Sequence, residues 1–190
     1  MRRIETSLPE VFIIEPTVFG DARGFFLESY HATKFAELGI HNSFVQDNHS
    51  QSVRGTLRGL HCQVRFPQAK LCRVIRGEVL DVAVDIRRGS PRFGQWTSVL
   101  LSAENKRQVY VPHGFAHGFV VLSEEAEFLY KCDDFYHPED ERGIAWNDPE
   151  IGIDWTLQQH GITEPLLSKK DAANPHLREL SDTTLPAYED

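Results

Sequence analysis

The sequence has few cysteines, and they lack the spacing that a disulfide framework or a zinc knuckle needs. The three residues, Cys62, Cys72 and Cys132, are odd in number, and no two of them form a CxxC pair. We therefore expect reduced thiols, which are usual in cytosolic proteins.

Long apolar runs are also missing. No segment approaches the roughly 18 consecutive apolar residues that a membrane-spanning helix requires. The first residues, "MRRIETSLPEV", are basic but contain no apolar stretch, so no signal peptide is predicted. We expect a cytoplasmic protein that makes no contact with membranes.

Positive charge is in short supply as well. The 28 acidic residues outnumber the 20 lysines and arginines, and the formal net charge is -8. This total excludes a general nucleic-acid-binding surface, which needs an excess of basic residues. It still allows a small anionic ligand, because a few arginines can converge in one cleft.

Helical periodicity is scarce, and short strand-like segments fill most of the chain. β-branched and aromatic residues recur between glycine and proline turns, as in "EVFIIEP", "LDVAVDI" and "HGFVVL". Two short helices are predicted, over residues 30–40 ending at Gly39 and over residues 168–174 with Ser168 as N-cap. The pattern predicts an all-β sandwich or barrel with a few short peripheral helices.

The length of 190 residues suits one domain. We assign residues 1–180 to it. Residues 181–190, "SDTTLPAYED", are acidic and show no periodicity, so a frayed C-terminal tail is predicted there.

Two histidines occur where the strands of a barrel can turn them inward. His61 stands in "GLHCQ", and His117 in "PHGFAHGF" shares a strand face with Phe115 and Phe119. Metal-binding jelly rolls often use an HxH pair, a following glutamate and a later histidine. Here Gln63 replaces the second histidine and no carboxylate follows. Two imidazoles and an amide make a poor transition-metal site, so no metal is expected.

The alternative for both histidines is a structural role as hydrogen-bonded core residues. Four cations argue against it, because Arg54, Arg58, Lys70 and Lys131 stand in segments expected to pair around the same barrel. Burying several cations without an anion is costly. Protein carboxylates or an anionic ligand should therefore neutralise them.

The order of motifs along the chain resembles one enzyme family, the dTDP-4-dehydrorhamnose 3,5-epimerases. The matching segments, from about Val11 to Asp171, include "FGDARGFFLESY", "VRGTLRGLHCQ", "QAKLCRVIRGEVLDVAVDIRRGSP", "LSAENKRQVYVPHGFAHGF", "AEFLYKC", "ERGIAWNDPEIGIDW" and "LLSKKD". The resemblance implies a cupin-type jelly-roll homodimer that uses no metal or other cofactor. It also implies epimerisation at C3 and C5 of dTDP-4-dehydro-6-deoxy-D-glucose, which gives dTDP-4-dehydro-L-rhamnose.

The same resemblance implies roles for individual residues. His61 is similar to the general base, Tyr130 to the general acid, and Lys70 to the cation beside the ketone oxygen. Asp171 is similar to the carboxylate that orients the base, and Tyr136 to the ring that stacks on thymine. The implied substrate-binding residues are Arg23, Glu28, Gln46, Asp47, Asn48, Arg58, Lys70, His117, Tyr136, Glu141 and Lys170.

These residue types suit proton transfer next to a ketone. A neutral imidazole accepts the proton, a carboxylate at its other nitrogen steadies the imidazolium, and a lysine stabilises the enolate oxygen. A tyrosine can return a proton to the opposite face, and arginines bind diphosphate through paired hydrogen bonds. None of these steps needs a cofactor.

Each assignment also has a structural alternative. Tyr130 alternates with Phe128 and could simply pack, Asp171 could only cap its helix, and Arg23 could pair with Glu28 on the surface.

Three features depart from the family pattern. Cys62 replaces a usual aromatic residue, His113 is an unusual choice, and residues 61–70 are one residue shorter than expected. The sugar pocket could therefore differ. A single-position epimerase, a 3,4-ketoisomerase and a catalytically silent nucleotide-sugar-binding protein stay as alternatives.

Overall fold

The computed structural model describes residues 1–181 and 184–188, and strands dominate this part of the chain. The strands in it are β1 (Arg2–Glu5), β2 (Phe12–Glu15), β3 (Val18–Asp21), β4 (Gly24–Leu27), β5 (Gln46–Val53), β6 (Leu57–Gln63), β7 (Lys70–Arg76), β8 (Glu78–Asp85), β9 (Trp96–Ser102), β10 (Gln108–Val111), β11 (Phe115–Val121), β12 (Glu125–Cys132) and β13 (Glu141–Gly143).

Helices are short and lie outside the sheets. The α-helix α1 spans Ala32–Glu37, and 3₁₀ helices span Gln158–His160, Asp171–Ala173 and Leu177–Glu179. The prediction over 30–40 is confirmed in shortened form. The prediction over 168–174 is confirmed as a single turn, in which the hydroxyl oxygen of Ser168 accepts a hydrogen bond from the backbone N–H of Asp171 at 3.0 Å.

Two antiparallel sheets pack face to face, which confirms the predicted all-β jelly-roll class. One sheet has the strand order β1-β2-β10-β7-β12-β5, and the other has the order β13-β6-β11-β8-β9. Sequence neighbours are often not sheet neighbours, since β7 lies between β10 and β12. The long crossings between sheets produce this order in a jelly roll.

Apolar side chains from both sheets fill the space between them. The inner cluster includes Val74, Val79, Val109, Phe119 and Phe128, all at most 5% exposed. Burial at about 25 cal/mol per Å² of apolar surface makes this layer the main source of stability.

The outer faces of both sheets are also covered. Segments after β13 bring Ile144, Trp155 and Leu177 onto the five-stranded sheet, whereas α1 packs Phe35 against the six-stranded sheet. Strand β8 is therefore buried on both faces, and even Asp81 and Asp85 are at most 1% exposed. In many sheets such an alternation separates a buried face from a solvent-exposed one. In "LDVAVDI" both faces are buried.

A bulge sets which side chains of β6 face the space between the sheets. His117 on β11 pairs with His61, but Phe119 pairs with Arg58, so two residues of β6 lie opposite Gly118. The extra residue turns both Arg58 and His61 toward the interior, although they are three positions apart. Gly59 makes this possible, because its φ is +107° and an added Cβ would lie 2.6 Å from the carbonyl oxygen of His117.

Among the residues that the structure describes, the strands of the β3–β4 hairpin pair only with each other, and the hairpin is exposed. Phe19, Phe25 and Phe26 on it are 64%, 63% and 65% exposed. Three large apolar side chains on an isolated two-stranded ribbon are unusual for a surface that stays in water.

The described part of the predicted tail is attached to the domain. Leu185 is 6% exposed within the outer cluster, and Ala187 forms a parallel bridge with Arg88. The expectation of a frayed tail is wrong for residues 184–188. Leu185 packs its apolar side chain against the domain, although the residues around it in the sequence are mostly polar. Residues 182, 183, 189 and 190 of that prediction lie outside the described residues. Within the described residues, none of the helices has the length and apolar character of a membrane span.

Candidate active site

A cavity of about 490 Å³ opens between the inner faces of the two sheets. Strands β5, β6, β7, β11 and β12 contribute side chains to it, together with the segment around residues 168–171. The predicted site residues that line it are Gln46, Asn48, Arg58, His61, Lys70, His117, Tyr130, Tyr136, Glu141, Lys170 and Asp171.

His61 and Asp171 form a short hydrogen-bonded pair at the wall of this cavity. Nε2 of His61 lies 2.5 Å from Oδ1 of Asp171. The other carboxylate oxygen accepts from the hydroxyl of Ser168 at 2.8 Å. Burial alone raises the pKa of Asp171, but the hydrogen bonds from His61, Ser168 and the backbone of Gly59 outweigh it, so the pKa lies below its usual value. Asp171 is therefore an anion that fixes the ring of His61.

The opposite wall carries Tyr130 and Lys70. In the ladder between β12 and β7, Tyr130 pairs with Cys72 and Cys132 pairs with Lys70, so Lys70 and Tyr130 are diagonal neighbours on one face. The ammonium of Lys70 lies 6.0 Å from the centre of the Tyr130 ring. Burial, with smaller contributions from neighbouring groups, raises the pKa of Tyr130 to about 12. The phenol of Tyr130 is therefore protonated at neutral pH and has a proton to donate.

A polar group at the cavity mouth lies beside the other nitrogen of His61. Oε1 of Glu141 is 3.9 Å from Nδ1 of His61. Its second oxygen accepts from the hydroxyl of Tyr136 at 3.2 Å and pairs with the ammonium of Lys170. Tyr136 itself is 48% exposed, so its ring is accessible at the entrance.

The side chain of Gln63 forms hydrogen bonds with the backbone of neighbouring loops and not with a ligand site. Its amide nitrogen donates to the backbone oxygens of Phe66 and Phe135 at 2.6 and 3.2 Å, and its oxygen accepts from the backbone of His137 at 2.8 Å. With His61 engaged by Asp171 as well, these residues do not fit the HxH-type metal site of other jelly rolls.

A family model described as dTDP-4-dehydrorhamnose 3,5-epimerase matches residues 5–179. The chain belongs to the dTDP-4-dehydrorhamnose 3,5-epimerase family. The resemblance stated from the sequence motifs is thereby confirmed, and with it the assignment to the epimerases.

Individual relatives are similar over nearly the whole chain. A dTDP-4-dehydrorhamnose 3,5-epimerase from Pseudomonas aeruginosa is 62% identical over 172 residues, which cover 90% of this chain and 93% of the relative. The crystal structure of dTDP-6-deoxy-D-glucose-3,5-epimerase RmlC from Legionella pneumophila, in complex with dTDP-4-keto-L-rhamnose, superposes with a TM-score of 0.95. It is 53% identical, and the match covers 100% of this chain and 99% of that one.

A more distant structure has a narrower activity in its name. ChmJ, a 3'-monoepimerase from Streptomyces bikiniensis in complex with dTDP-quinovose, is 35% identical with a TM-score of 0.88. The match covers 97% of this chain and 92% of that one. The jelly roll of the dTDP-4-dehydrorhamnose 3,5-epimerase family is therefore shared by single-position epimerases.

Three predicted binding residues do not line the cavity of their own chain. Arg23 is at the tip of the exposed hairpin, where it pairs with Asp21 at 2.6 Å, so the ion pair with Glu28 that was its structural alternative does not form. Glu28 pairs instead with Lys34. Asp47 lies on the outer side of β5, where it accepts from Lys131 at 2.8 Å, because its neighbours Gln46 and Asn48 lie on the inner side.

The expected convergence of four cations is only half correct. Arg58 and Lys70 line the cavity. Lys131 alternates with Tyr130 and so faces outward to Asp47, and Arg54 is exposed in the turn after β5. Because successive side chains of a strand point to opposite faces, the neighbour of an inward-facing residue points away from the cavity.

Sequence reasoning missed several lining residues, among them Ser50, Gln68, Phe119 and Phe128. The signal for Ser50 was available, because it continues the alternation that starts at Gln46 and Asn48. Ser52, the next position of that face, accepts from the guanidinium of Arg58 at 3.1 Å and orients it. No comparable periodic signal existed for Gln68, which lies in a loop.

The three departures from the family pattern have different consequences. Cys62 packs in the outer cluster, on the face of β6 away from His61, so it does not shape the sugar pocket. The short segment before Lys70 is held by Asp133, which accepts from the backbone N–H of Ala69 at 2.6 Å. His113 lies 2.8 Å from the same carboxylate and so supports that anchor.

Proposed function

We propose that the protein converts dTDP-4-dehydro-6-deoxy-D-glucose to dTDP-4-dehydro-L-rhamnose by inverting C3 and C5. The observation that carries the proposal is the His61–Asp171 pair at the wall of a cavity whose other wall holds Lys70 and Tyr130. The high identity to curated 3,5-epimerases supports the choice of substrate.

His61 is the base of this mechanism. Because Asp171 accepts from Nε2, the lone pair that is free to take a proton is on Nδ1. The carboxylate then stabilises the imidazolium that forms when the proton leaves the carbon next to the ketone.

Lys70 stabilises the enolate. Removing the proton places negative charge on the C4 oxygen, and the ammonium of Lys70 in the same cavity is a cation that can stabilise it. One donor aimed at a developing oxyanion is typically worth about 3 kcal/mol of barrier.

Tyr130 returns a proton on the opposite face. With its pKa raised to about 12, the phenol keeps its proton until the carbanion demands it. The nearby ammonium of Lys70 stabilises the phenolate that results.

The nucleotide part of the substrate is bound at the cavity entrance. Arg58 offers paired donors to the diphosphate, and the accessible ring of Tyr136 offers a face to thymine. Gln46, Asn48, His117, Glu141 and Lys170 complete the binding set within one chain.

In a homodimer, the predicted binding residues that do not line the cavity of their own chain would lie at or near the substrate site of the partner. Arg23 and Glu28 stand on or just after a hairpin whose three exposed phenylalanines need a partner surface. We propose that a second copy of the chain covers this hairpin and receives Arg23 and Glu28 at its substrate site. Asp47, which already pairs with Lys131, would act next to that contact. A cytoplasmic location and the absence of a nucleic-acid partner stay predictions from the sequence.

The second candidate function is a single-position epimerase, which the likeness to the 3'-monoepimerase favours. Incubation of the protein with dTDP-4-dehydro-6-deoxyglucose in deuterated water distinguishes the two. Deuterium at both C3 and C5 supports the double epimerase, and deuterium at one carbon identifies a single-position enzyme. A product with the ketone moved to C3 would identify a 3,4-ketoisomerase. Tight nucleotide binding without any exchange would leave only a silent binding protein.

A further inference from the structure

Three side chains next to the cavity form a group of which the proposed function uses only His117. Cys72 on β7, Asp81 on β8 and His117 on β11 are all buried, and one possible ligand atom from each lies within 4.8 Å of the other two. Nε2 of His117 is 2.9 and 3.1 Å from the two oxygens of Asp81 and 3.8 Å from Sγ of Cys72. We name this group the thiol triad. It differs from the HxH-type position, since neither His61 nor Gln63 belongs to it.

We propose that the thiol triad binds a thiophilic divalent cation of the zinc class and that the bound cation inhibits the enzyme. The inhibition half of this proposal rests on the proposed function, because it requires an epimerase to inhibit. The binding half stands by itself.

The separations within the thiol triad fit tetrahedral coordination. Zinc bonds of about 2.3 Å to sulfur and 2.0 Å to nitrogen or oxygen place neighbouring ligand atoms about 3.3 to 3.6 Å apart. The separations from Nε2 of His117, 2.9 to 3.1 Å to Asp81 and 3.8 Å to Cys72, lie on either side of these values, so the side chains must adjust to hold the ion. The strands that carry the triad come from both sheets, and their pairing holds the backbone in place.

Charge favours a divalent ion at this position. Asp81 is 1% exposed and Cys72 is 0% exposed, so an unbalanced charge on either is costly. When the ion binds, the Cys72 thiol releases its proton to water, and one thiolate and one carboxylate then neutralise the dication. Imidazole, thiolate and carboxylate together are a donor set that zinc accepts.

Access to the triad runs through the substrate cavity. His117 lines that cavity, whereas Cys72 and Asp81 lie behind it. A fourth coordination position would therefore point toward the space that the sugar nucleotide occupies. Metal and substrate should compete, since His117 cannot both ligate the ion and contact the substrate.

A cobalt titration tests the binding half. Chelator-treated protein is titrated with Co²⁺, whose thiolate complexes have a charge-transfer band in the near ultraviolet and strong visible bands when tetrahedral. We expect these bands to saturate at one ion per chain and to disappear when Zn²⁺ is added. The Cys72→Val variant should lose the thiolate band, and Asp81→Asn should weaken binding about tenfold or more.

Cys132→Val is the matched control. Cys132 is also 0% exposed on the same face of the sheet, but it is not part of the triad. This variant should keep the cobalt spectrum. If Cys72→Val does not fold, Cys72→Ser takes its place, because the hydroxyl has similar size and forms no such band. A wild-type protein without a thiolate band, or an unchanged band in the Cys72 variant, overturns the proposal.

The activity arm uses the same variants. Stoichiometric Zn²⁺ should inhibit the wild type and the Cys132→Val variant, and saturating dTDP should slow the inhibition. The Cys72→Val variant should resist it. If the wild type shows cobalt binding but no epimerase activity even without metal, the proposed function fails while the site itself stands. Equal inhibition of wild type and Cys72→Val contradicts the inhibitory role.

Discussion

At the scale of the residue, the carboxylate of Asp171 is what distinguishes His61 from a histidine that merely packs. Two histidines pair directly across β6 and β11, yet their carboxylate partners differ in position. Asp171 approaches His61 from the start of a 3₁₀ helix beside the cavity, whereas Asp81 contacts the more deeply buried His117 from the side away from the cavity. The resemblance in the sequence motifs predicted both His61 as the base and Asp171 as its partner, and the fold brings the two side chains together across 110 positions.

We expect His61→Ala to abolish deuterium exchange at both carbons, because the variant lacks the imidazole that removes the proton in the proposed mechanism. Asp171→Asn should lower kcat by about 10² to 10⁴-fold, since an amide can hold the wrong tautomer of the ring. Exchange is measured by NMR in deuterated water, and dTDP affinity by calorimetry serves as the control. An unchanged exchange rate in His61→Ala would contradict the assignment.

Tyr130→Phe separates proton removal from proton return. The phenylalanine keeps the packing against Phe128, whose ring centre lies 5.9 Å away, but has no proton to donate. Turnover should fall by about 10² to 10⁴-fold, while wash-in of solvent deuterium falls less. Equal losses in both measurements would show that Tyr130 acts in packing and not as the acid.

At the scale of the element, the bulge on β6 determines which residues reach the cavity. Strand periodicity predicts that Arg58 and His61 face opposite sides, because they are three positions apart. The bulge adds one residue to β6 between them, so both side chains face the cavity. Nothing in the local sequence except Gly59 and Gly118 signals it, and glycines have many other uses. The helices over 30–40 and 168–174 and the outline of the strands were predictable, but the 3₁₀ helices Gln158–His160 and Leu177–Glu179 and this displacement were not.

Gly59→Ala should disrupt the site from within the sheet. The new Cβ would meet the backbone of His117 at 2.6 Å, and the strands must separate to admit it. We expect unfolding free energy to fall by about 1 to 3 kcal/mol and activity to fall with it. Gly89→Ala is the matched control, because Gly89 also has a positive φ, +86°, but has open space around it. Similar losses in both variants would attribute the effect to φ strain alone.

The exposed hairpin gives a second prediction at this scale. Phe26→Ser should weaken the proposed dimer, because it removes apolar surface that is 65% exposed in the single chain. Sedimentation velocity measures the change, and activity should become dependent on protein concentration. Phe93→Ser, at a position 43% exposed outside the hairpin, is the control. A monomeric wild type would contradict the dimer, and an unchanged dimer in Phe26→Ser would place its interface elsewhere.

At the scale of the whole molecule, buried carboxylates tie loops to the barrel. Asp140 is 0% exposed and accepts from the backbone N–H groups of Val64, Arg65 and Phe66 at 2.8 to 3.0 Å. Burial raises its pKa, but these hydrogen bonds outweigh the effect and hold the pKa below its usual value. Composition gave no sign of this role, because a buried and an exposed aspartate look the same in a sequence.

The depressed pKa gives the sign of the pH dependence. The unfolded chain binds the proton more readily than the folded one, so stability is complete above the ordinary aspartate value of about 3.9 and is lost as pH falls below it. Asp140→Asn should lower stability at pH 7 and flatten the acid limb of the unfolding curve. Urea unfolding across pH measures both, with the exposed Glu164→Gln as control. A steep acid limb retained in Asp140→Asn would contradict this origin.

The docked C-terminal residues have a practical consequence for anyone who produces the protein. Removing the residues after Leu180 deletes Leu185, which is buried in the outer apolar cluster. The loss of this burial lowers the free energy of unfolding by about 1.5 to 3 kcal/mol. It also strips the bridge between Ala187 and Arg88. A shortened chain should therefore precipitate on mild warming, while the full chain stays clear.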